Sequence, residues 1–167
     1  PLRSKKSGTD IYKSHVKMNS VKRNGEPENY TSDTSYEGVS YRVGSADRYV
    51  DSGINKYEFN YTIYNAVFEK DGIYQVYFNP IGQFWNVPIE SADVSISFEN
   101  NQPIGENEIK QLEVYTGEYG DTGQNYTILQ KSGIIKIETN EVLEPRNGLS
   151  FRLNLKTDKI SPTWLDK

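Results

Sequence analysis

Tyr57-Glu58-Phe59-Asn60-Tyr61-Thr62-Ile63-Tyr64 is the stretch on which the fold turns. Tyr57, Phe59, Tyr61 and Ile63 share one parity, with Glu58, Asn60 and Thr62 between them. Successive side chains of a strand point to opposite faces of a sheet, so a period of two marks a half-buried strand. The same strand is expected to run on to Phe68 as a long central strand, with its apolar positions moved to Tyr64, Ala66 and Phe68. That change of parity calls for a bulge at 63–64 or for cover on both faces of the later half. Downstream, Asp71-Gly72 makes a turn and Ile73 to Phe78 a partner strand. Asn79-Pro80-Ile81-Gly82 turns again, and Phe84 to Ile89 crosses a corner. Pro88 cannot donate to a ladder, which confines that piece to an edge or a strand start.

Toward the N-terminus, Val16, Met18 and Val21 line a weak strand. Asn24-Gly25 then supplies a pair that tolerates positive φ, a strong hairpin signal. Glu26 to Tyr36 reads as a polar return strand, Val39 to Val43 as a short strand, and 45–56 as a loop. Toward the C-terminus, Val94, Ile96 and Phe98 alternate, and 109–115, 126–128 and 135–137 supply further strands around the Gly-rich loop 116–124 and the turn Ser132-Gly133. Leu149, Phe151, Leu153 and Leu155 alternate with Ser150, Arg152, Asn154 and Lys156 in the cleanest amphipathic strand of the chain. Only Glu106 to Leu112 has room for a helical turn; no window has a capped 3.6-residue period.

Short strands separated by Gly, Asn and Pro turns specify an all-β fold with little or no helix. The expected architecture is an antiparallel β-sandwich, immunoglobulin-like or jelly-roll-like. The expected organisation is a flexible arm over 1–10, one sandwich domain over 11–157 with sub-sheets meeting near 90, and a tail over 158–167. Tyr61, Ile63, Trp85, Ile96, Phe151 and Leu153 are the expected core.

The 167 residues suffice for one domain that buries roughly 70% of its unfolded surface without staples. Mean hydropathy is −0.75, and 13 tyrosines offset that polarity with half-buried ring area. The net charge of −4, with no basic face, argues against a nucleic-acid partner. The absence of cysteine excludes disulfides and thiolate metal sites. The chain opens on Pro1, not Met, and reads as a segment of a longer protein.

Candidate chemistry is sparse. His15 is the sole histidine, and no Gly-x-Ser-x-Gly stands elsewhere to supply a nucleophile, so it reads as structural. Glycoside hydrolysis needs two carboxylates facing each other across a cleft. The acids here (Glu58, Glu69, Asp71, Glu90, Asp93, Glu99, Glu113, Glu118 and Asp121 among them) mostly alternate with apolar residues, as a solvated face does. Glu118 and Asp121 lack the dense acid run that calcium takes, and read as a hairpin loop. Tyr77, Phe84 and Trp85 are the candidate ligand platform, on which a sugar ring could stack. Core packing at the corner is the preferred reading of Trp85, and alternation keeps Phe84 and Trp85 off a common side.

Val39-Ser40-Tyr41-Arg42-Val43-Gly44, Gly53 and Tyr57-Glu58-Phe59-Asn60-Tyr61 stand in order before Tyr77-Phe78-Asn79-Pro80-Ile81-Gly82-Gln83-Phe84-Trp85-Asn86-Val87-Pro88-Ile89. Tyr115-Thr116-Gly117, Gly120, Leu143-Glu144-Pro145 and Gly148-Leu149 follow. Taken together, these blocks resemble the extracytoplasmic domain of the YciQ-like predicted bacterial membrane proteins, with Phe78 where that family usually has Trp. The resemblance implies a signal peptide upstream, membrane spans downstream, and no catalytic residues to carry over. The expectation is therefore a non-enzymatic, cofactor-free extracytoplasmic interaction domain, membrane-anchored in its parent protein, whose partner is an unknown protein or wall polymer. A carbohydrate-binding module for cell-wall glycan is the alternative, and a carboxylate-dependent glycoside hydrolase the third reading.

Overall fold

The computed structural model describes residues 4–7, 10–35, 38–100 and 102–161, and its strands follow from local turn chemistry. Asn24-Gly25, Asp71-Gly72 and Ser132-Gly133 each have positive φ at both positions, 53° and 88° in the first pair. Such two-residue turns carry the twist of the strands they join, so each closes a tight hairpin.

The chain divides into two compact units between Ala66 and Val67. In the first, β1 (Ser4–Ser7) pairs antiparallel with β2 (Asp10–Lys13). A three-stranded sheet contains β3 (His15–Arg23), β4 (Glu26–Pro27) and, after a separate hairpin of β5 (Tyr30–Thr34) with β6 (Val39–Val43), β7 (Tyr57–Tyr64). Its order is β4-β3-β7. Asn19 is the extra residue of a bulge in β3, and its amide bonds Asn60 and Thr62 of β7. Arg23 and Glu28 pair at 2.6 Å, and that guanidinium holds the Glu28 carboxyl below its usual range.

The second unit holds two antiparallel sheets. One contains β8 (Val67–Lys70), β9 (Ile73–Ile81), β11 (Ile109–Gly117) and β14 (Gly148–Leu155) in the order β11-β14-β9-β8. The other contains β10 (Asp93–Ile96), β12 (Tyr126–Lys131) and β13 (Ile134–Thr139) in the order β10-β13-β12. Both contribute to one buried cluster. Leu149, Phe151, Leu153 and Leu155 enter it from β14, Ile135 and Ile137 from β13, and Val114 from β11, with Ile104 and Leu143 from connections. Both antiparallel sheets thus share one apolar cluster, and β14 and β13 supply its driest side chains. Burying each such aliphatic side chain contributes roughly 1.5–3 kcal/mol. Gly148 begins β14 where a Cβ would lie 2.6 Å from the Ile81 carbonyl oxygen, so only glycine fits there.

Several expectations change. Residues 4–7 and 10–13 form a paired hairpin where a flexible arm was expected over 1–10. The chain clusters into compact units divided at 66/67, and within the second it passes from the four-stranded to the three-stranded sheet between β9 and β10, on either side of residue 90. The strand expected to run from Tyr57 to Phe68 stops at Tyr64, because Asn65 adopts φ 55° and turns the chain before β8. Among the described residues β7 pairs with β3 alone, an edge position that leaves Tyr61 43% exposed and Ile63 half-buried. The return strand expected over 26–36 splits into β4 and β5, and Tyr36 lies outside the described residues. Asn79-Pro80, expected as a turn, stays within β9: both residues stand opposite Ser150 at a register shift, a bulge where a missing N–H is tolerated. Trp85 lies in the loop beyond β9, outside the alternation that placed it in the core, and is 56% exposed. Ile96 is half-buried, and Phe151 and Leu153 are buried as expected.

The expected tail is docked at its start. Glu108, at the end of a single 3-10 turn, receives bonds from the Thr157 hydroxyl (2.5 Å), the Lys159 ammonium (2.7 Å) and the Gly105 N–H (2.6 Å). The Lys159 and Thr157 bonds, with that of Gly105, lower its pKa from 4.5 to about 2. Ile160 packs against the core beyond this clamp.

Two outcomes follow. Phe151→Ala should destabilise the second unit by about 3–5 kcal/mol, read from denaturant midpoints, because the cavity lies under paired strands. Since Glu108 has a depressed pKa, its contribution is complete above about 4.5 and declines as pH falls toward about 2. Stability measured against pH should fall across that window, and Glu108→Gln should flatten the fall.

Candidate functional site

Three connections meet at one end of the second unit: 82–88 after β9, 118–125 between β11 and β12, and 140–147 between β13 and β14. Register places them together, since Ile81 pairs with Leu149, Gly117 with Gly148, and Tyr126 with Thr139. They are braced to one another by hydrogen bonds. The Arg146 N–H donates to the Trp85 carbonyl at 2.8 Å, and Ile89 and Leu143 exchange both backbone bonds at 2.9 Å. The Asn125 side chain donates to the Glu141 carbonyl at 3.2 Å and accepts from the Asn140 N–H at 3.1 Å. The Thr116 hydroxyl accepts from the Asn125 N–H at 3.0 Å.

This bracing holds large apolar side chains in water. Phe84 is 93% exposed and Tyr119 87%, with Trp85, Val87 and Val142 also exposed. An exposed aliphatic residue is ordinary, but several rings at the tips of cross-braced loops are not. Glu118, Asp121, Glu141 and Glu144 outnumber Arg146 on the same loops. Asp121 is partly engaged, its carboxylate accepting from the Glu118 N–H at 3.0 Å.

The outer face of the four-stranded sheet differs in character. Gln75 donates to Asn154 at 2.9 Å, Asn154 to Gln111 at 2.8 Å, and Gln111 to Glu113 at 2.8 Å. Arg152 donates to the other oxygen of Glu113 at 3.0 Å. Register sets Phe68, Gln75, Asn154 and Gln111 in one row across the four strands, and Tyr77, Arg152 and Glu113 in the next. The Glu113 carboxylate, bonded to the Tyr115 hydroxyl, raises that phenol above its ordinary pKa. On the other sheet the outer face carries the Lys136–Glu138 pair, which raises the lysine, and a shallow groove of about 570 Å³ lined by Ser95, Leu129, Gln130 and Ile134 among others.

The structure separates the three residues of the candidate platform. Tyr77 stands on the outer sheet face, 49% exposed, whereas Phe84 and Trp85 stand on the end loops. Alternation does not govern the last two, which lie outside any strand. His15 stacks on Tyr64 across the β3–β7 pair, centroids 4.5 Å apart, as a structural residue would. Among the described residues no three His, Cys, Asp or Glu side chains gather as a metal-binding group. Sequence reasoning missed Tyr119, Val142 and the amide row. Gln75, Gln111 and Asn154 each stand beside an inward aliphatic (Val76, Leu112 and Leu153), but only the strand register makes them neighbours.

A family model described as the N-terminal domain of a predicted membrane protein (DUF2207) matches residues 3–155. "Uncharacterized protein YciQ" of Escherichia coli (strain K12) is 30% identical over 114 residues, which are 68% of this chain and 18% of that protein. The chain therefore spans under a fifth of that relative's length. No solved structure matches. No helix among the described residues is long and apolar enough to cross a membrane.

Because the Phe84 ring touches solvent on nearly all sides, Phe84→Ser should leave thermal stability within about 0.5 kcal/mol of the parent. Asn125→Ala, which removes two braces, should cost roughly 1–2 kcal/mol. Paired thermal melts check both.

Proposed function

Since the chain belongs to this YciQ-like family of predicted membrane proteins, we propose that it is a non-catalytic interaction domain on the extracytoplasmic side, held near a bacterial membrane by its parent protein. The observation that carries the reading is the braced end of the second unit, which presents Phe84, Trp85 and Tyr119 to solvent. Aromatic residues on fixed loops give a partner large contact area at small entropic cost, and dominate binding where they occur. The family's description speaks of a predicted membrane protein and names no reaction. The acids around the rings favour a partner whose rim is neutral or basic.

The chain itself has no cysteine, so a thiol introduced into it is read against the unsubstituted parent as the background. Tyr119→Cys in the full-length parent, expressed in protoplasts, should react with a membrane-impermeant maleimide before lysis. Labelling seen only after lysis would place the domain in the cytoplasm and overturn the proposed location.

A further inference from the structure

We propose that the outer face of the four-stranded sheet binds a neutral glycan chain along the amide row formed by Gln75, Asn154 and Gln111, with Tyr77 as the stacking ring. The ligand class deepens the interaction reading and rests on it for biological setting only; the binding itself is a property of the isolated chain. Outer faces of antiparallel sheets are ordinarily polar, and the opposite sheet follows that habit with Lys136, Glu138 and Lys131. Here two adjacent rows place three neutral amides side by side, next to an Arg152–Glu113 ion pair whose charges cancel, with Lys70 and Lys156 toward the margins of the same face. Rows that are themselves without net charge suit an uncharged ligand, and a dense field of amide groups suits one rich in hydroxyls.

Preorganisation favours binding here. Fixing a free Gln side chain costs it its rotamer freedom. The run from Gln75 through Asn154 and Gln111 to Glu113 has already restricted these side chains by bonding them together. Each amide offers two N–H donors and an oxygen with two lone pairs, and spends only part of that capacity on its neighbours. Tyr77, beside Arg152 in the register and 49% exposed, adds the apolar ring on which the C–H face of a sugar can rest. The two rows run across the strands, so the ligand that fits is an extended oligosaccharide, not a single sugar.

The test is calorimetric titration of the whole chain with chitotetraose, cellotetraose and maltotetraose, and with an acidic oligogalacturonate of similar length. At least one neutral tetrasaccharide should bind with a dissociation constant in the millimolar range or below. Tyr77→Ala and Gln111→Ala should each weaken it roughly tenfold or more in protein that still unfolds in one cooperative thermal transition, whereas Tyr77→Phe keeps the affinity. Phe84→Ala, on the end loops, should leave glycan binding as it was. No heat with any neutral oligomer, tighter binding of the acidic one, or binding indifferent to Tyr77→Ala overturns the proposal. None of these results bears on the thiol-labelling outcome, so the glycan site and the domain's location fail or stand separately.

Discussion

The second unit depends on one constraint: β14 is paired along both edges while Leu149, Phe151, Leu153 and Leu155 are kept from water on one face. A strand hydrogen-bonded on both sides cannot slip by one residue without sending all four side chains to solvent. Its register therefore fixes those of β11 and β9. The Pro80 bulge is accommodated within that register, as is Gly148, which brings the start of the strand against the Ile81 carbonyl.

Both candidate surfaces inherit their positions from this strand. The inward parity that buries the leucines forces Arg152 and Asn154 outward, where they meet Glu113, Gln111 and Gln75. Strand ends set together by the register bring the three end connections close enough to bond one another. Their rings are then displayed on a stiff support. The Glu108 clamp on Thr157 and Lys159 continues the logic past the last strand, holding the chain that leaves β14 against its own unit. The first unit has a different balance: a three-stranded sheet with an edge strand whose aromatic face stays half in water.

What the sequence disclosed was whatever physics is local. Leu149 to Leu155 alternates without a break and was legible as a buried strand. Asn24-Gly25, Asp71-Gly72 and Ser132-Gly133 were legible as turns because positive φ leaves few residues to choose from. The all-β class followed from the same signals, and the order of blocks pointed to the family. Tyr57 to Tyr64 was read as central because alternation tells which residues share a face, not whether a second strand lies alongside. The turn at Asn65 is not legible, because one asparagine at positive φ carries little signal outside an Asn-Gly pair. Trp85 was assigned to the core by extending strand parity into a loop, where parity has no meaning. The amide row needed pairing across strands up to 79 residues apart, which a linear pattern does not contain.

β14 organises the second unit as its most constrained strand, and native-state hydrogen exchange followed residue by residue reads this directly. The backbone amides of Phe151, Leu153 and Leu155 should exchange more slowly than those of β12 and β7, and only through opening of the whole second unit. If they exchange as fast as the edge strands, or open while β11 and β9 stay protected, β14 is not what organises the unit and the account is wrong.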